Sequence, residues 1–544
     1  MKPGYTTLLP LSAFTFLSLS QVQAVNPPPD AGRILQELDT RSAQPPARSD
    51  LNIQPVLESR DGAVTEDGPS VRIESVTFSG NTVFSDDELQ ALLQPAMGGD
   101  FKLAGLFAMA ETVSLYYRSK GYPFARAILP PQEISDGKLE IKILEGRFGK
   151  VTATSENLKL VRIGQGFLLK LKPGDVIESK QLERHTLLLN DLPGITTVPV
   201  IRPGSNMGEG DFEIAVRETR RWDASVGFDN HGSRYTGEYR GNVSASLYHL
   251  FTPGDQLSGI VLYTNEALWL GRIGYEMPIC YSGLRANISY ARTEYDLGYG
   301  FDGFTGLADV VTMGISYPVV RSQQSNLGFI ARTQYKNLDD RLLGVSFQRK
   351  DSYSATVGIE YDHRDNLLSF LGPAVNFGTF YITAGTIESS DAGVDTGGFS
   401  KIHGDISRLQ SLPSNFSWFT NIDYQLTGSG TLDSSESFLL GGANSVRAYP
   451  QGEIASKSGI RLQNELRYSM KYVSPYVFYD IGYVTGEGLN DGRTLSGAGV
   501  GMRMNLDRFY LDASVAGRLS GGDSRVETNN QREIRGWISA GYRF

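Results

Sequence analysis

A chain of 544 residues is too long for one hydrophobic core, so two or more domains are expected. Its net charge of −9 leaves no basic footprint for nucleic acid. Its single cysteine, Cys280, rules out an internal disulfide and is expected to be a buried small apolar residue.

Lys2, the mostly apolar run Thr6 to Ser20 and the pattern Val22-Gln23-Ala24 read as a secretory signal peptide over residues 1–24, removed before Val25. Residues 25–41 hold a short helix. Pro27-Pro28-Pro29 leads to Asp30, a good N-cap, and then to AGRILQELDTR, where Ile34, Leu35 and Leu38 share one face. A helix this short is marginal alone and needs a host surface. Residues 42–70, rich in Pro, Ser, Asp and Gly, read as a flexible linker. Beyond the signal no apolar run is long enough for a transmembrane helix.

Residues 71–146 alternate element types in the order β-α-α-β-β. VRIESVTFSG is strand-like, and SDDELQALLQP opens on Ser85 with Glu88 three places on, a capping box. LFAMAETVSLYYRSKGY has helical spacing, while FARAILPPQEI and KLEIKILEG are strands. Residues 147–218 look like a shorter, looser copy: GKVTATS, the helix SKQLERHTLLLNDLPG, then TTVPVIRPG and GDFEIAVRE. Two successive modules of one pattern make an internal repeat.

From Trp222 to Phe544 strand follows strand. ASVGFDNHGS, GEYRGNVSASLYHL, DQLSGIVLYTN, LWLGRIGYEMPI, GLRANISYARTEY, SYSATVGIEYDH, AVNFGTFYITAG, FSWFTNIDYQL, IRLQNELRYSM, RFYLDASVAG and GWISAGYRF carry the clearest patterns. One face of most is apolar and aromatic, the other polar, and the last strand ends on Phe544. The segments are longer than those of soluble sandwiches. At about twenty residues per strand and turn, residues 222–544 make roughly sixteen antiparallel strands of a transmembrane barrel.

Catalytic arrangements do not emerge. No HExxH, GxSxG, P-loop or Cys/His cluster is present, and His185, His231, His249, His363 and His403 are scattered. Asp86-Asp87 and Asp339-Asp340 are expected at a helix start and in a turn. The chain is therefore read as a non-enzyme without metal or cofactor, acting by binding and by providing a path.

In this order the segments resemble the two-partner secretion transporters of the hemolysin secretion/activation type, within the outer-membrane superfamily that also holds the barrel-assembly insertases. The modules resemble POTRA (polypeptide-transport-associated) domains, and LNDLPG at 189–194 matches a phrase typical of the second one. Val446-Arg447-Ala448-Tyr449 resembles the family's Val-Arg-Gly-Tyr signature on the long loop between barrel strands eleven and twelve. The usual glycine is Ala448 here, so a positive φ at that position would cost about 1 kcal/mol or more. Phe478-x-Asp480-x-Gly482 matches the family's wall signature on the strand behind. The resemblance implies that the loop folds into the barrel and that Arg447 meets Asp480, with Val446 and Tyr449 packing the tip.

It also implies the function: an outer-membrane transporter of a Gram-negative bacterium that captures a large unfolded exoprotein in the periplasm and secretes it, with activation of the cargo left open. The helix around Ile34, Leu35 and Leu38 would plug the resting lumen. Strands around 124–131 and 197–202 are the candidate sheet edges for capture by strand addition. Expected partners are that exoprotein, outer-membrane lipid and the barrel-assembly machinery that inserts the barrel; nucleic acid is not one. An insertase of the same superfamily is the alternative reading, but it normally carries more POTRA modules and no plug helix. A passive porin would not need residues 71–218.

Overall fold

The computed structural model describes residues 28–39, 43–46, 69–428, 430–486, 492–527 and 531–544. The signal-peptide reading of residues 1–24 and most of the 42–70 linker lie outside the described residues. The chain begins its described course with helix α1 (Ala31–Asp39).

Two α/β modules follow. The first holds β1 (Val71–Arg72), β2 (Ser75–Ser79), α2 (Asp86–Leu93), β3 (Asp100–Phe101), α3 (Leu103–Ser119), β4 (Arg126–Ile128) and β5 (Lys138–Leu144). Its main sheet has the order β2-β5-β4, which leaves β4 at an edge. Leu139, Ile141 and Ile143 alternate inward from β5 onto Val113 and Tyr117 of α3. Ser85 caps α2 by accepting the Glu88 amide at 3.3 Å, but Glu88 does not complete a capping box; its carboxylate accepts instead from the Tyr116 hydroxyl on α3.

The second module holds β6 (Arg147–Thr154), α4 (Leu158–Leu168), α5 (Ser179–Asn190), β7 (Ile195–Pro203) and β8 (Glu209–Glu218), with sheet order β6-β8-β7 and β7 at an edge. Helix α4 corrects the looser-copy reading. Gly164 and Gly166 lower its intrinsic propensity, yet Asn157 caps it through the Lys159 amide at 3.0 Å, and Leu160, Ile163 and Phe167 are buried on one face. Tertiary packing supplies what local propensity lacks.

Sixteen antiparallel strands then close a barrel: β9 (Trp222–Asp229), β10 (Arg240–Tyr248), β11 (Gln256–Thr264), β12 (Trp269–Pro278), β13 (Arg285–Asp296), β14 (Phe304–Arg321), β15 (Ser325–Leu342), β16 (Val345–Asp365), β17 (Ala374–Glu388), β18 (Gly397–Ser411) and β19 (Phe416–Thr427), then, past a long loop carrying the hairpin β20 (Phe438–Leu440) and β21 (Ile454–Ser456), β22 (Gly459–Tyr468), β23 (Val473–Val484), β24 (Arg493–Leu506), β25 (Phe509–Ser520) and β26 (Ile534–Arg543). Strand β26 closes on β9 through Ser539–Arg543 against Ser225–Asp229. Val243, Val261, Ile273, Ile288, Met313 and Val357 point outward and are 46–56% exposed, the apolar belt that a bilayer covers. No helix among the described residues is long and apolar enough to cross a membrane.

Strands β14, β15, β18 and β24 carried no clear signal in sequence. Each mixes polar residues and glycines into the repeat, as in GGFSKIHGDISRLQS, because its inner face meets other protein in the lumen rather than water or lipid. Asp339-Asp340 lies within β15 and not in a turn; both side chains are buried. Cys280 is exposed, on the turn between β12 and β13 beside Ser282. That turn joins strands at the end of the barrel where the second module docks, so no core is there to bury it.

The LNDLPG phrase makes that docking contact. Asp191 receives both prongs of Arg321, the last residue of β14, at 2.6 Å. Leu192 packs on the Gly254 turn, and Leu188 on the Gly283 turn. Arg184 donates to the Pro318 carbonyl at 2.7 Å, and Glu183 accepts the Gln323 amide at 2.6 Å.

The two modules are joined at Glu145. Its carboxylate, 3% exposed, accepts from the Thr82 amide (2.5 Å), the Val83 amide (2.8 Å), Tyr117 (3.2 Å) and Arg147 (2.8 Å). Arg147 reaches onward to the Gly174 carbonyl of the second module at 2.9 Å. Burial by itself would raise the Glu145 pKa; the hydrogen bonds from Thr82 and Val83 outweigh it and hold the carboxyl below its ordinary value. A folded pKa below the unfolded one stabilises above the unfolded value of about 4.3 and is lost as pH falls through the lower, folded value. Glu145→Gln is expected to cost about 1.5–3 kcal/mol near neutrality. In calorimetry of the purified chain, the wild-type module transition should fall more steeply than the variant's below about pH 4.3; equal slopes would remove Glu145 from this account.

Candidate functional site

The loop between β19 and β22 turns into the barrel instead of leaving it. Its tip is a tight turn in which the Tyr449 amide donates to the Val446 carbonyl at 3.0 Å and the Gly442 amide to the Tyr449 carbonyl at 3.1 Å. Val446, Ala448 and Tyr449 are fully buried, and Arg447 is 4% exposed. An apolar frame around a charge is what a loop tip needs when protein, not solvent, surrounds it.

Arg447 reaches Asp480 on β23 with two prongs, Nε to Oδ2 at 2.8 Å and Nη2 to Oδ1 at 2.7 Å, and its own amide adds a third bond to Oδ2 at 3.1 Å. Nη1 donates to Glu465 on β22 at 2.7 Å. The guanidinium lies 3.6 Å from the Phe478 ring centroid, a cation–π contact. The Arg447 carbonyl accepts from Trp537 Nε1 at 2.7 Å. Tyr449 donates its hydroxyl toward the Ser520 and Gly522 carbonyls at 2.9 and 3.0 Å.

Phe478, Asp480 and Gly482 alternate along β23 and share its inner face. The three residues of the wall signature contribute differently. The Phe478 ring lies under the cation, the Asp480 carboxylate pairs with it, and Gly482 leaves space. A Cβ on Gly482 would lie 2.3 Å from Leu440 Cδ1, so the glycine admits the loop hairpin. Ala448 is not among the positive-φ residues, so it carries no left-handed strain. Room for its methyl comes from Gly497 on β24, where a Cβ would sit 2.3 Å from Ala448 Cβ.

Sequence reasoning missed Glu465, Arg503 and Trp537. Glu465 also receives Arg503 (2.9 and 3.1 Å) and Arg467 (2.8 Å), so one carboxylate serves three guanidinium groups. The polar face Arg461, Gln463, Glu465, Arg467 of β22 was visible as alternation; its partners were not.

The plug-helix residues lie elsewhere in the lumen, toward the end away from the modules. Ile34 is buried against Leu268, Tyr295, Leu297 and Leu338, and Leu35 and Leu38 are partly buried beside it. Asp30 caps α1 through the Arg33 amide at 3.0 Å, and Asp340 accepts the Ala31 amide at 2.9 Å, so two carboxylates face the positive helix end. Residues 43–45 line a cavity of about 940 Å³ together with Arg447, Glu465 and Arg503, and the Pro46 carbonyl accepts from Arg364 at 3.2 Å near the module end of β16.

The Gly497 contact predicts a double-mutant cycle. Gly497→Ala should overpack against Ala448 and lower thermal stability by about 1–3 kcal/mol. Adding Ala448→Gly should return part of that loss, measured by the unfolding temperature of the purified barrel. No coupling between the two would place the tip elsewhere.

Comparisons with known proteins converge. The family described as haemolysin secretion/activation protein ShlB/FhaC/HecB matches residues 208–504, more than half of the chain, and the ShlB-type POTRA domain matches residues 71–146. The Heme/hemopexin transporter protein HuxB of Haemophilus influenzae (strain 86-028NP) is 25% identical over 579 residues, covering 99% of each chain. The outer membrane transporter CdiB of Dickeya dadantii is 24% identical, covering 74% of this chain and 73% of that one. The structure of CdiB from Escherichia coli superposes with a TM-score of 0.72 at 22% identity, covering 91% and 94% of the two chains, which is a likeness of fold. Closed barrel, POTRA modules and in-folded loop thus have one explanation: the chain belongs to the haemolysin secretion/activation (ShlB/FhaC/HecB) family, the outer-membrane transporters of two-partner secretion, with its POTRA modules in the periplasm.

Proposed function

We propose that this transporter carries one large exoprotein, unfolded in the periplasm, through a lumen closed at rest by α1 and by the loop that Arg447 holds to Asp480. The observation that supports this most is the threading of the N-terminal segment: α1 lies in the lumen, and residues 43–46 run beside the Arg447 cluster toward the modules. A helix tethered in this way can leave toward the periplasm without passing the barrel wall. The exposed edges β4 and β7 suit capture of extended segments by main-chain hydrogen bonds, which need no strict sequence. The cargo is read as an exoprotein of the kind that the relatives' names suggest, hemopexin-linked or hemolytic. Outer-membrane lipid covers the belt, and the barrel-assembly machinery inserts it.

Arg447 and Asp480 act as a unit on this reading. Breaking one partner of a buried pair costs about 3–5 kcal/mol locally, because the other charge is left uncompensated. Arg447→Ala and Asp480→Ala should each leave a heat-modifiable barrel in the outer membrane but strongly reduce extracellular exoprotein per barrel. The double variant should be no worse than either, since residues in contact are not additive. Arg447→Lys should recover secretion only in part, because an ammonium lacks the two-pronged geometry. Losses that multiply, or a wild-type chain that exports no exoprotein from its own cells, would sink the proposal.

A further inference from the structure

The in-folded loop is gripped on two sides of the lumen, and the signature residues account for only one. On the other side the turn Ser434–Glu436 inserts Glu436 between two lysines of the wall. Glu436 Oε1 lies 2.6 Å from Lys336 Nζ on β15, and Oε2 lies 2.7 Å from Lys401 Nζ on β18. Lys336 also donates to the Ser435 carbonyl at 3.0 Å, while Lys401 and Gln425 donate to the Glu436 carbonyl at 2.9 and 2.8 Å. Lys336, Lys401 and Glu436 are all buried. One carboxylate therefore answers two ammonium groups from strands separated in the wall by β16 and β17. Removing its charge would leave two like charges in a confined space.

The same turn is the floor under α1. Gly32 lets the first helical turn descend onto it: a Cβ there would lie 2.4 Å from Ser434 Oγ and 2.7 Å from the Ser435 amide nitrogen. Asp30 Oδ2 accepts from Ser434 Oγ at 2.7 Å and from Lys350 Nζ at 2.7 Å, and Lys350 also donates to Asp433 Oδ2 at 2.7 Å. Farther along, Arg33 donates to the Gly452 carbonyl of the same loop. The loop thus supplies both a surface and polar anchors for the helix.

We propose that Glu436 is a positioning residue: by seating the loop turn between Lys336 and Lys401 it builds the platform that retains α1, separately from the Arg447–Asp480 grip. These two loop anchors then have different duties. Arg447 holds the tip on which secretion depends, and Glu436 holds the floor on which resting closure depends. This rests on the plug reading of α1, which the deletion below tests by itself.

The experiment compares variants of the full chain in planar bilayers, with unheated gel mobility reporting assembly. Deleting residues 28–39 should raise the open fraction; if it does not, the plug reading fails. Glu436→Gln should raise the open fraction about tenfold when the helix is present and add nothing when it is deleted. Gly32→Leu, which leaves the lysine seat intact, should leak in the same way. Exoprotein secretion by Glu436→Gln should stay within about twofold of wild type, unlike Arg447→Ala. Should Glu436→Gln not assemble, Lys401→Met, which leaves Lys336 matched by Glu436, is scored by the same rules. A silent Glu436→Gln beside a conducting deletion overturns the proposal. So does an increment that persists in full without the helix, or a secretion loss equal to that of Arg447→Ala.

Discussion

A guanidinium held between two carboxylates, inside a barrel wide enough to be a water channel, is the contact on which the filled lumen depends. Sixteen strands leave an interior that side chains of the wall alone do not close. A loop drawn into that space loses hydration of its own polar groups, and Arg447 returns part of that cost through Asp480, Glu465, the Phe478 ring and Trp537. Arg447 and Asp480 are buried, and the low local dielectric strengthens their attraction and makes an unmatched partner costly. The wall is shaped around it: Gly482 admits the hairpin and Gly497 admits the Ala448 methyl.

Once the loop is inside, other parts of the molecule can rest on it. The turn at Ser434–Glu436 gives α1 a surface that a bare barrel would lack, and Gly452 gives Arg33 an acceptor. Nine residues of helix cannot persist alone in water, so its order comes from this host. The contacts at its ends are largely polar and charged, while Ile34 supplies the main fully buried apolar anchor. Such contacts exchange more readily for water than a large apolar interface would.

The periplasmic side follows a different logic. Glu145 and Arg147 tie the two α/β modules together, and Leu188 with the LNDLPG residues Asp191 and Leu192 fastens the second of them to the barrel. The edges β4 and β7 stay unpaired among the described residues. The junction is satisfied by side chains, whereas an unpaired edge leaves backbone groups of β4 and β7 open.

How much of this was legible depends on the distance over which each signal acts. Alternation with period two is local, so strands with a lipid face on one side, such as Leu284–Tyr290, announce the barrel by themselves, and a capped helix such as α2 announces its start. Strands β14, β15, β18 and β24 were obscured because their inner faces answer to the loop and helix inside, and α4 because its glycines are tolerated only by packing. Val446-Arg447-Ala448-Tyr449 and Phe478-x-Asp480-x-Gly482 could be read as a related pair only by resemblance; nothing local links them. The sequence by itself determined the order of modules, the barrel and the residues that carry its signatures. Only the tertiary structure decided that Asp340 caps a helix some three hundred residues away, that Glu465 collects three arginines and that Glu436 sits between Lys336 and Lys401. These are long-range matches of buried charge, and a charge declares its partner only when the chain has closed around both.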